Sequence, residues 1–361
     1  MLPHPRSDRT LAVCDHSDHT SPWRTSVTKV TPEVRRLRRS EVAVVGCLLL
    51  MTMAPGVFAQ TPINPGRHLV EVVSTSDGST QTSYLILPPG YDHGAGEIPL
   101  VVSLHSWSFG VEQRQEALEQ AVGERGWIYL FPDFRGRNDK LEACASDVAM
   151  RDVVDALEWV TMHYPIDQDR VYLTGISGGG FMTLAMVASY PDRWTAASAW
   201  VPLSDLRSWY DFHAGDRYGE MTRQCVGGDP AESPLVAKEM ERRSPLQRLG
   251  QASEVALDIA AGRMDGHHGA PIPIWHSLAA FNQIAKALGE PVITAQEIAE
   301  LSRDDPHLED PQASDLVSDP SFGREIFLRR HAGKARVTIF EGGHEGLAEA
   351  AVAWFEAHPT R

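Results

Sequence analysis

The chain contains 361 residues, with 33 Lys+Arg against 48 Asp+Glu and a formal net charge of −15. Hydrophobic residues make up 42% and charged residues 22%, which excludes disordered, collagen-like and multi-span membrane proteins. An acidic chain with no stripe rich in lysine or arginine is not expected to bind nucleic acid, and four cysteines are too few for a disulfide-built scaffold.

Residues 1–59 differ in charge from the rest of the chain. They carry a net charge of +3, whereas residues 60–361 carry −18. Four arginines between positions 35 and 39 are followed by an apolar run over residues 42–53 and then by Val57-Phe58-Ala59. This order predicts a signal peptide cleaved after Ala59, and therefore a secreted or periplasmic protein. The apolar run is too short for stable insertion in a membrane.

The cysteines bear on the same question. Val44-Val45-Gly46-Cys47 resembles a lipoprotein box, but Cys47 precedes the most apolar stretch, so the cleaved signal peptide is the preferred interpretation. Cleavage after Ala59 would leave Cys144 and Cys225 as the only two thiols. In an oxidising compartment these two can form a disulfide, or they can remain separate buried thiols.

Residues 60–361 alternate between short apolar runs and segments with helical spacing. Eight runs predict strands, the first two alternating as in an antiparallel hairpin: 68–74, 81–87, 99–104, 127–131, 171–174, 196–199, 256–261 and 336–340. Helices are predicted in the intervals 112–125, 147–163, 179–190, 275–288 and 347–357. Asp152, Asp155 and Glu158 are expected on the solvent side of the second helix. The pattern predicts one α/β domain with an eight-stranded, mostly parallel sheet.

Two segments interrupt this alternation. Residues 202–250 are polar and aromatic, and residues 290–320 contain nine acidic residues opposed only by Arg303. Thr294 and Glu297 have the spacing of a capping box, which predicts a short helix after Thr294. We expect both segments to form small caps over one end of the sheet.

Gly175-Ile-Ser177-Gly-Gly179 lies between a predicted strand and a predicted helix. A hydroxyl that leaves a sheet to meet a substrate requires a sharp turn, and glycines on either side remove the Cβ atoms that would clash there. The serine would also lie at a helix N-terminus, where unpaired N–H groups stabilise negative charge. This setting predicts that Ser177 is a nucleophile.

A serine nucleophile needs a base, and the base needs an orienting carboxylate. Asp265 follows the strand over 256–261, and His344 follows the last predicted strand on a loop flanked by glycines. Acid and then histidine, both after the serine, is the chain order expected for a nucleophile on such a turn. Ser177, Asp265 and His344 are therefore the predicted triad, with Asp258 as an alternative acid inside the strand.

No cofactor or metal is expected. His267 and His268 stand beside Asp265, but no further ligand cluster at metal-site spacing accompanies them.

The oxyanion of acyl transfer requires two fixed donors. One would be the N–H of Gly178, next to the predicted nucleophile. The loop after the third strand, His105-Ser106-Trp107, would supply the second from Ser106 or Trp107, and Trp107 is preferred. His105 would brace this loop.

With these residues in place, the chain resembles the α/β-hydrolase superfamily over residues 60–361. The segment from Asp152 to Asp205 is similar to the catalytic domain of the prolyl oligopeptidase group. The similarity lies in Asp169-Arg-Val-Tyr, in Gly175-Ile-Ser-Gly-Gly-Gly-Phe-Met-Thr-Leu, in Tyr190-Pro-Asp-Arg-Trp194 and, after the acid, in Pro271-Ile-Pro-Ile-Trp-His-Ser277. The resemblance implies Ser177 as nucleophile, Asp265 as acid and His344 as base.

The chain also departs from the large oligopeptidases. It has no room for the β-propeller that precedes their catalytic domain, and His105-Ser-Trp stands where a His-Gly-Gly-type loop is usual. Similar stand-alone exported domains include bacterial esterases that act on plant polysaccharides or their aromatic and acetyl groups. The leading hypothesis is therefore a secreted serine esterase acting on a small-molecule or polysaccharide ester. A prolyl-oligopeptidase-like peptidase and a non-catalytic binding module are the alternatives.

Four residues are candidates for substrate binding. Trp200 and Trp209 would offer aromatic surfaces to a sugar or a phenolic acyl group, or would only pack the caps. Arg135 would clamp a carboxylate, or would only pair with neighbouring acids. His105 completes the set. The sequence gives no oligomeric state.

Overall fold

A nine-stranded sheet runs through the part of the protein that the structure, a computed structural model, describes: residues 64–267 and 269–360. The predicted leader with its cleavage after Ala59, the lipoprotein box at Cys47, and His268 lie outside the described residues. The strands are Gly66–Val73 (β1), Thr80–Leu87 (β2), Ile98–Leu104 (β3), Ile128–Pro132 (β4), Ile166–Ile176 (β5), Ala196–Trp200 (β6), Ala256–Gly262 (β7), Ile326–Ala332 (β8) and Ala335–Phe340 (β9).

The sheet is mostly parallel, as the sequence predicts. Its strand order is β1-β2-β4-β3-β5-β6-β7-β9-β8. The central strands β4, β3, β5, β6, β7 and β9 are parallel to one another, whereas β1, β2 and β8 join in antiparallel pairs. The carboxyl ends of the parallel strands consequently meet at one edge, where functional loops gather in open α/β sheets.

Helices cover both the sheet and its carboxyl edge. Within the described residues they are Glu116–Glu124 (α1), Asp147–His163 (α2), Gly178–Ser189 (α3), Leu206–Phe212 (α4), Arg217–Val226 (α5), Pro234–Arg243 (α6), Trp275–Leu288 (α7), Ala295–Leu301 (α8) and Ala348–Glu356 (α9). The predicted bounds of α2 and α7 agree with the structure residue by residue. The predicted capping box is also present, with Thr294 and Glu297 exchanging hydrogen bonds at the start of α8.

The ninth strand, β8, was not among the eight predicted ones. It lies along β9 at the edge of the sheet and contains Arg329 and Arg330, two charged residues that interrupt an apolar pattern. Both arginines are buried because carboxylates of the 290–320 segment neutralise them: Asp319 lies 2.9 Å from Arg329, and Glu297 lies 2.8 Å from Arg330. Carboxylates outside the strand therefore allow its two arginines to be buried beside β9.

The prediction that Asp152 and Asp155 face solvent is wrong. They are 2% and 5% exposed. Asp155 accepts hydrogen bonds from the amide of Thr75 at 2.7 Å and from Arg151, and Asp152 pairs with Arg135. Asp155 therefore attaches α2 directly to the hairpin of β1 and β2. Asp152 does so through Arg135, which also pairs with Asp77 of that hairpin. No helix among the described residues is long and apolar enough to cross a membrane.

Candidate active site

Ser177 occupies the turn between β5 and α3 in a conformation that L residues rarely adopt. Its φ and ψ are 63° and −119°, and its amide donates to the carbonyl of Trp200 at 2.9 Å. The hydroxyl makes no capping hydrogen bond with α3. Backbone strain of this kind persists only where the surroundings enforce it, and it concentrates at functional sites.

Gly175 and Gly178 allow this turn because the chain passes itself closely on both sides of Ser177. A Cβ atom on Gly175 would lie 2.4 Å from the backbone of Gly179. A Cβ atom on Gly178 would lie 2.3 Å from the amide nitrogen of Trp107. The absence of these two side chains brings the N-terminus of α3 against the loop that follows β3.

The contact between Gly178 and Trp107 bears on the choice of oxyanion donor. The amide of Ser106 is already occupied, because it donates to the side-chain oxygen of Gln113 at 2.7 Å. Gln113 also donates to the Ser106 hydroxyl, so it holds the loop from both sides. These bonds favour Trp107 over Ser106 as the second donor. Sequence reasoning missed Gln113, since a lone glutamine in a loop carries no recognisable signal.

His105 braces this loop from within the core. It is fully buried, its two ring nitrogens face the carbonyls of Ser106 and Asp133 at 3.1 and 3.0 Å, and its ring stacks on Phe134 at 3.7 Å. Burial lowers the pKa of His105 below its usual range. The proposed bracing role fits these contacts, whereas direct substrate binding by His105 does not.

Asp265 and His344 lie side by side although 79 residues separate them. The Nδ1 atom of His344 is 2.8 Å from Oδ2 of Asp265. Asp265 is 1% exposed and also accepts hydrogen bonds from the amides of Gly266 and Ile272 at 3.0 and 3.1 Å. A carboxylate with three partners is fixed in place, and it favours the histidine tautomer that leaves Nε2 free.

The two loops that carry these residues are joined to each other. The amides of Arg263 and Met264 donate to the carbonyls of Phe340 and Gly342 at 2.8 and 3.0 Å. Gly346 in turn packs against Ile176, the residue before Ser177: a Cβ atom there would lie 2.7 Å from Ile176. The base loop is thus adjacent to the serine turn. Between the described Ser177 and His344 side chains there is no hydrogen bond, and such bonds often form only when substrate binds.

Asp258, the alternative acid, has a structural role. It lies within β7, is fully buried, and pairs with Arg336 of β9 at 2.8 Å, while Ser198 donates to its other oxygen. Its carboxylate is therefore occupied between two strands. Among the described residues no group of three or more histidine, cysteine or acidic side chains could hold a metal ion.

Three other predicted binding residues are not available to a substrate as exposed surfaces. Arg135 is held between Asp77 at 2.7 Å and Asp152, so its charge is already paired. Trp209 is 1% exposed and its ring meets that of Trp107 at 4.4 Å. Trp200 is also 1% exposed, but part of it borders a partly open cavity.

Cys144 and Cys225 are joined as a disulfide. The bond links the loop before α2 to the last turn of α5. This helix belongs to residues 202–250, which we call the first cap. The disulfide therefore attaches that cap to the main sheet domain.

Solved structures share this fold. The acylaminoacyl peptidase of Pyrococcus horikoshii superposes with a TM-score of 0.51, over 63% of this chain and 36% of that chain, at 17% sequence identity. At this identity the similarity establishes the fold alone, which is that of the α/β-hydrolases.

Sequence relatives include both peptidases and esterases. Dipeptidyl aminopeptidase BIII of Pseudoxanthomonas mexicana is 26% identical over an alignment of 240 positions that covers 58% of this chain and 33% of the relative. Acetylxylan esterase A of Emericella nidulans is 22% identical over an alignment of 180 positions that covers 47% of this chain and 57% of the relative. The chain thus spans a third of the peptidase and little more than half of the esterase.

A sequence model of the prolyl oligopeptidase family matches residues 114–295, which make up half of the chain. The matched segment includes the serine turn, the disulfide and Asp265. The chain belongs to the prolyl oligopeptidase family, within the α/β-hydrolase superfamily.

Proposed function

We propose that this protein is a serine hydrolase of carboxylic esters, with Ser177 as nucleophile, His344 as general base and Asp265 as the acid that orients the base. The observation that carries the proposal is the Asp265–His344 pair on a loop that packs beside a strained serine. Ser177 neither caps its helix nor adopts an ordinary conformation. A structural role would leave both features unexplained.

In the acylation step, Nε2 of His344 takes the proton of Ser177 as Oγ bonds to the ester carbonyl carbon. The carbonyl oxygen becomes an oxyanion, which the amides of Gly178 and Trp107 stabilise. The bond to the leaving alcohol oxygen then breaks, and His344 gives that oxygen the proton. An acyl group remains on Ser177.

Deacylation repeats these steps with water. His344 takes a proton from the water as its oxygen bonds to the acyl carbon, and the same two amides stabilise the second oxyanion. The bond to Oγ breaks, Ser177 regains its proton from His344, and the carboxylic acid leaves. Asp265 keeps the imidazole oriented throughout and stabilises its charged form.

An ester of a carbohydrate, or of an aromatic acid, is the substrate class we favour. The acetylxylan esterase relative supports this class, since more of its own length aligns with this chain than does that of the dipeptidyl aminopeptidase. A peptide substrate is the second candidate, because the family match and the peptidase relative favour it. The same acyl-enzyme chemistry serves both, so only turnover separates them.

The test is a panel of acetyl, feruloyl and glucuronoyl esters beside peptide anilides, together with labelling by a fluorophosphonate. We expect ester turnover, little or no anilide turnover, and a label that is lost in Ser177→Ala. Faster turnover of anilides than of any ester would favour the peptidase. Folded protein without any label would point instead to a non-catalytic binding module.

We also propose that residues 1–59 are an export leader and that residues 60–361 act as one catalytic domain outside the cytoplasm. The Cys144–Cys225 disulfide supports export, because disulfides persist in oxidising compartments. N-terminal sequencing of the protein recovered from an exporting host should give Gln60 as the first residue. Recovery of the uncleaved chain in the cytoplasm would contradict this proposal.

A further inference from the structure

A cavity of about 230 Å³ lies between the N-termini of α1 and α9, and we call it the inner cavity. Its apolar wall includes Ile176, Leu347 and Trp200, and its polar side includes Gln113 and Glu116. An engineered cavity of about 150 Å³ accepts benzene, so the inner cavity has room for one six-membered ring with substituents.

Residues next to three parts of the proposed catalytic site line the inner cavity. Ile176 directly precedes Ser177, Gly346 follows His344 by two residues, and Gln113 holds the loop that presents Trp107. The lining of the inner cavity therefore includes chain neighbours of the nucleophile and of the base, and the side chain that holds the loop of one oxyanion donor, although none of these three groups lines the cavity itself. None of the residues predicted from sequence to bind substrate, except Trp200, borders it.

The base determines which half of an ester would occupy this cavity. His344 must reach the leaving oxygen in order to protonate it, so the alcohol half lies on the side of the base. The residues immediately after the base, from Gly346 to Ala348, form a wall of the inner cavity. On the side of Trp107, the ring of Trp209 packs edge-on against the indole ring at 4.4 Å.

The inner cavity adjoins an open groove of about 500 Å³, which we call the outer groove. The two share four lining residues: Ala117, Gly346, Leu347 and Ala348. The outer groove continues along α1, opposite the loop that contains Ser321 and Arg324 and the first residues of α9. A group seated in the inner cavity can therefore extend outward along it.

The outer groove carries more negative than positive charge. Its lining contains Arg324 and three carboxylates, those of Glu124, Glu345 and Glu349. Arg324 pairs with Glu345 at 2.7 Å and Arg125 with Glu349 at 3.0 Å, whereas Glu124 accepts a hydrogen bond from a neutral amide. Such a surface suits a neutral chain of hydroxyl-bearing rings better than an anionic polymer.

We propose that the inner cavity and the outer groove bind the alcohol half of the substrate, a neutral sugar chain whose esterified residue sits in the inner cavity. This inference rests on the proposed esterase function and specifies its substrate class. The mixed wall of the inner cavity fits a sugar ring, which has an apolar face and polar edges. Neighbouring sugar residues would follow the outer groove.

The experiment compares two esters of the same acyl group, the one that the wild-type protein cleaves fastest: its methyl ester and its ester with a xylo-oligosaccharide. Ala117→Leu on α1 and Ala348→Leu on α9 narrow the passage where the inner cavity meets the outer groove, which we call the junction. Ala117 is exposed and Ala348 is half-buried, so neither change overfills the core. Ala353→Leu is the matched control, because Ala353 is half-buried on the same helix as Ala348 but borders neither the cavity nor the groove.

We expect each junction variant to lower kcat/KM for the sugar ester at least about tenfold and to leave kcat/KM for the methyl ester within about twofold. Ala353→Leu should change neither. Equal losses for both esters, or no loss for either in variants that melt as the wild type does, would overturn the inference. Fluorophosphonate labelling separates the two proposals: a wild-type protein that fails to label refutes the esterase function itself, whereas labelling with no ester selectivity refutes only the sugar site.

Discussion

Asp265 and His344 meet at 2.8 Å between Oδ2 and Nδ1, and two backbone amides hold Asp265 in the orientation that this contact requires. Asp265→Asn keeps the shape of the side chain but favours the wrong histidine tautomer. We expect kcat for ester hydrolysis to fall about 10³–10⁴-fold, as in other serine triads, while the protein remains folded. Steady-state kinetics and the thermal unfolding midpoint would measure the two effects.

Asp258→Asn is the matched control for that variant, because Asp258 pairs with Arg336 inside the sheet and lies away from the base. It should lower the free energy of unfolding by about 3 kcal/mol, since it removes the buried carboxylate that pairs with the half-buried Arg336 and leaves that arginine, among the described residues, only Asp319 at 3.9 Å. Its kcat should stay near that of the wild type. Loss of activity in folded Asp258→Asn, with Asp265→Asn active, would reverse the assignment of the acid.

Gly178→Ala tests the proposed oxyanion donors. The added Cβ atom would lie 2.3 Å from the amide nitrogen of Trp107 and 2.6 Å from its Cα, so the two donors must separate. We expect kcat to fall about 10²–10³-fold, the usual effect of losing one donor. Gly123→Ala is the control, because a Cβ atom there would meet only Pro89 at 3.9 Å. Unchanged kcat in Gly178→Ala would exclude Trp107 from the oxyanion site.

The Cys144–Cys225 disulfide closes a loop of 81 residues between the main domain and the first cap. Replacing both cysteines by serine should lower the free energy of unfolding by about 2–5 kcal/mol, because the unfolded chain gains freedom. Guanidinium unfolding of the variant and of the wild type, with and without reductant, measures this loss. Two thiols that react freely in the unreduced native protein would contradict the bond.

The serine turn and its partners are the part of the site that could be predicted from local sequence. Ser177 sits between glycines that the turn requires, and Asp265 and His344 follow strands that are mostly apolar. Each of these signals depends only on residues nearby in the chain, so the sequence pattern alone is enough to predict the three residues. The same reasoning gives α2 and α7 their correct bounds, since their apolar spacing is regular.

Features that depend on distant partners could not be predicted in this way. Arg329 and Arg330 make β8 look like a loop until Asp319 and Glu297 neutralise them. The sequence pattern places Asp152 on the solvent side of its helix, but its ion pair with Arg135 allows it to be buried. Sequence periodicity treats every charge as exposed, whereas a paired charge can be part of the core. The helices of the first cap, within residues 202–250, also escaped prediction, because α4, α5 and α6 are short and mostly polar.

Glu239 gives a prediction about the stability of this cap towards acid. Hydrogen bonds from Arg242 and then Arg243 lower its pKa to about 2, and Arg243 in turn donates to the carbonyl of Ala143, next to the disulfide. Because the pKa in the folded state lies below the ordinary value of about 4.3, this stabilisation is complete above that value and is lost as the pH falls towards 2. Glu239→Gln should therefore lower the free energy of unfolding by about 1–2 kcal/mol at pH 6 and by much less at pH 2.5. Urea unfolding at pH 6, 4 and 2.5 measures the difference, and a difference that does not change with pH would show that the ionised Glu239 does not hold the cap.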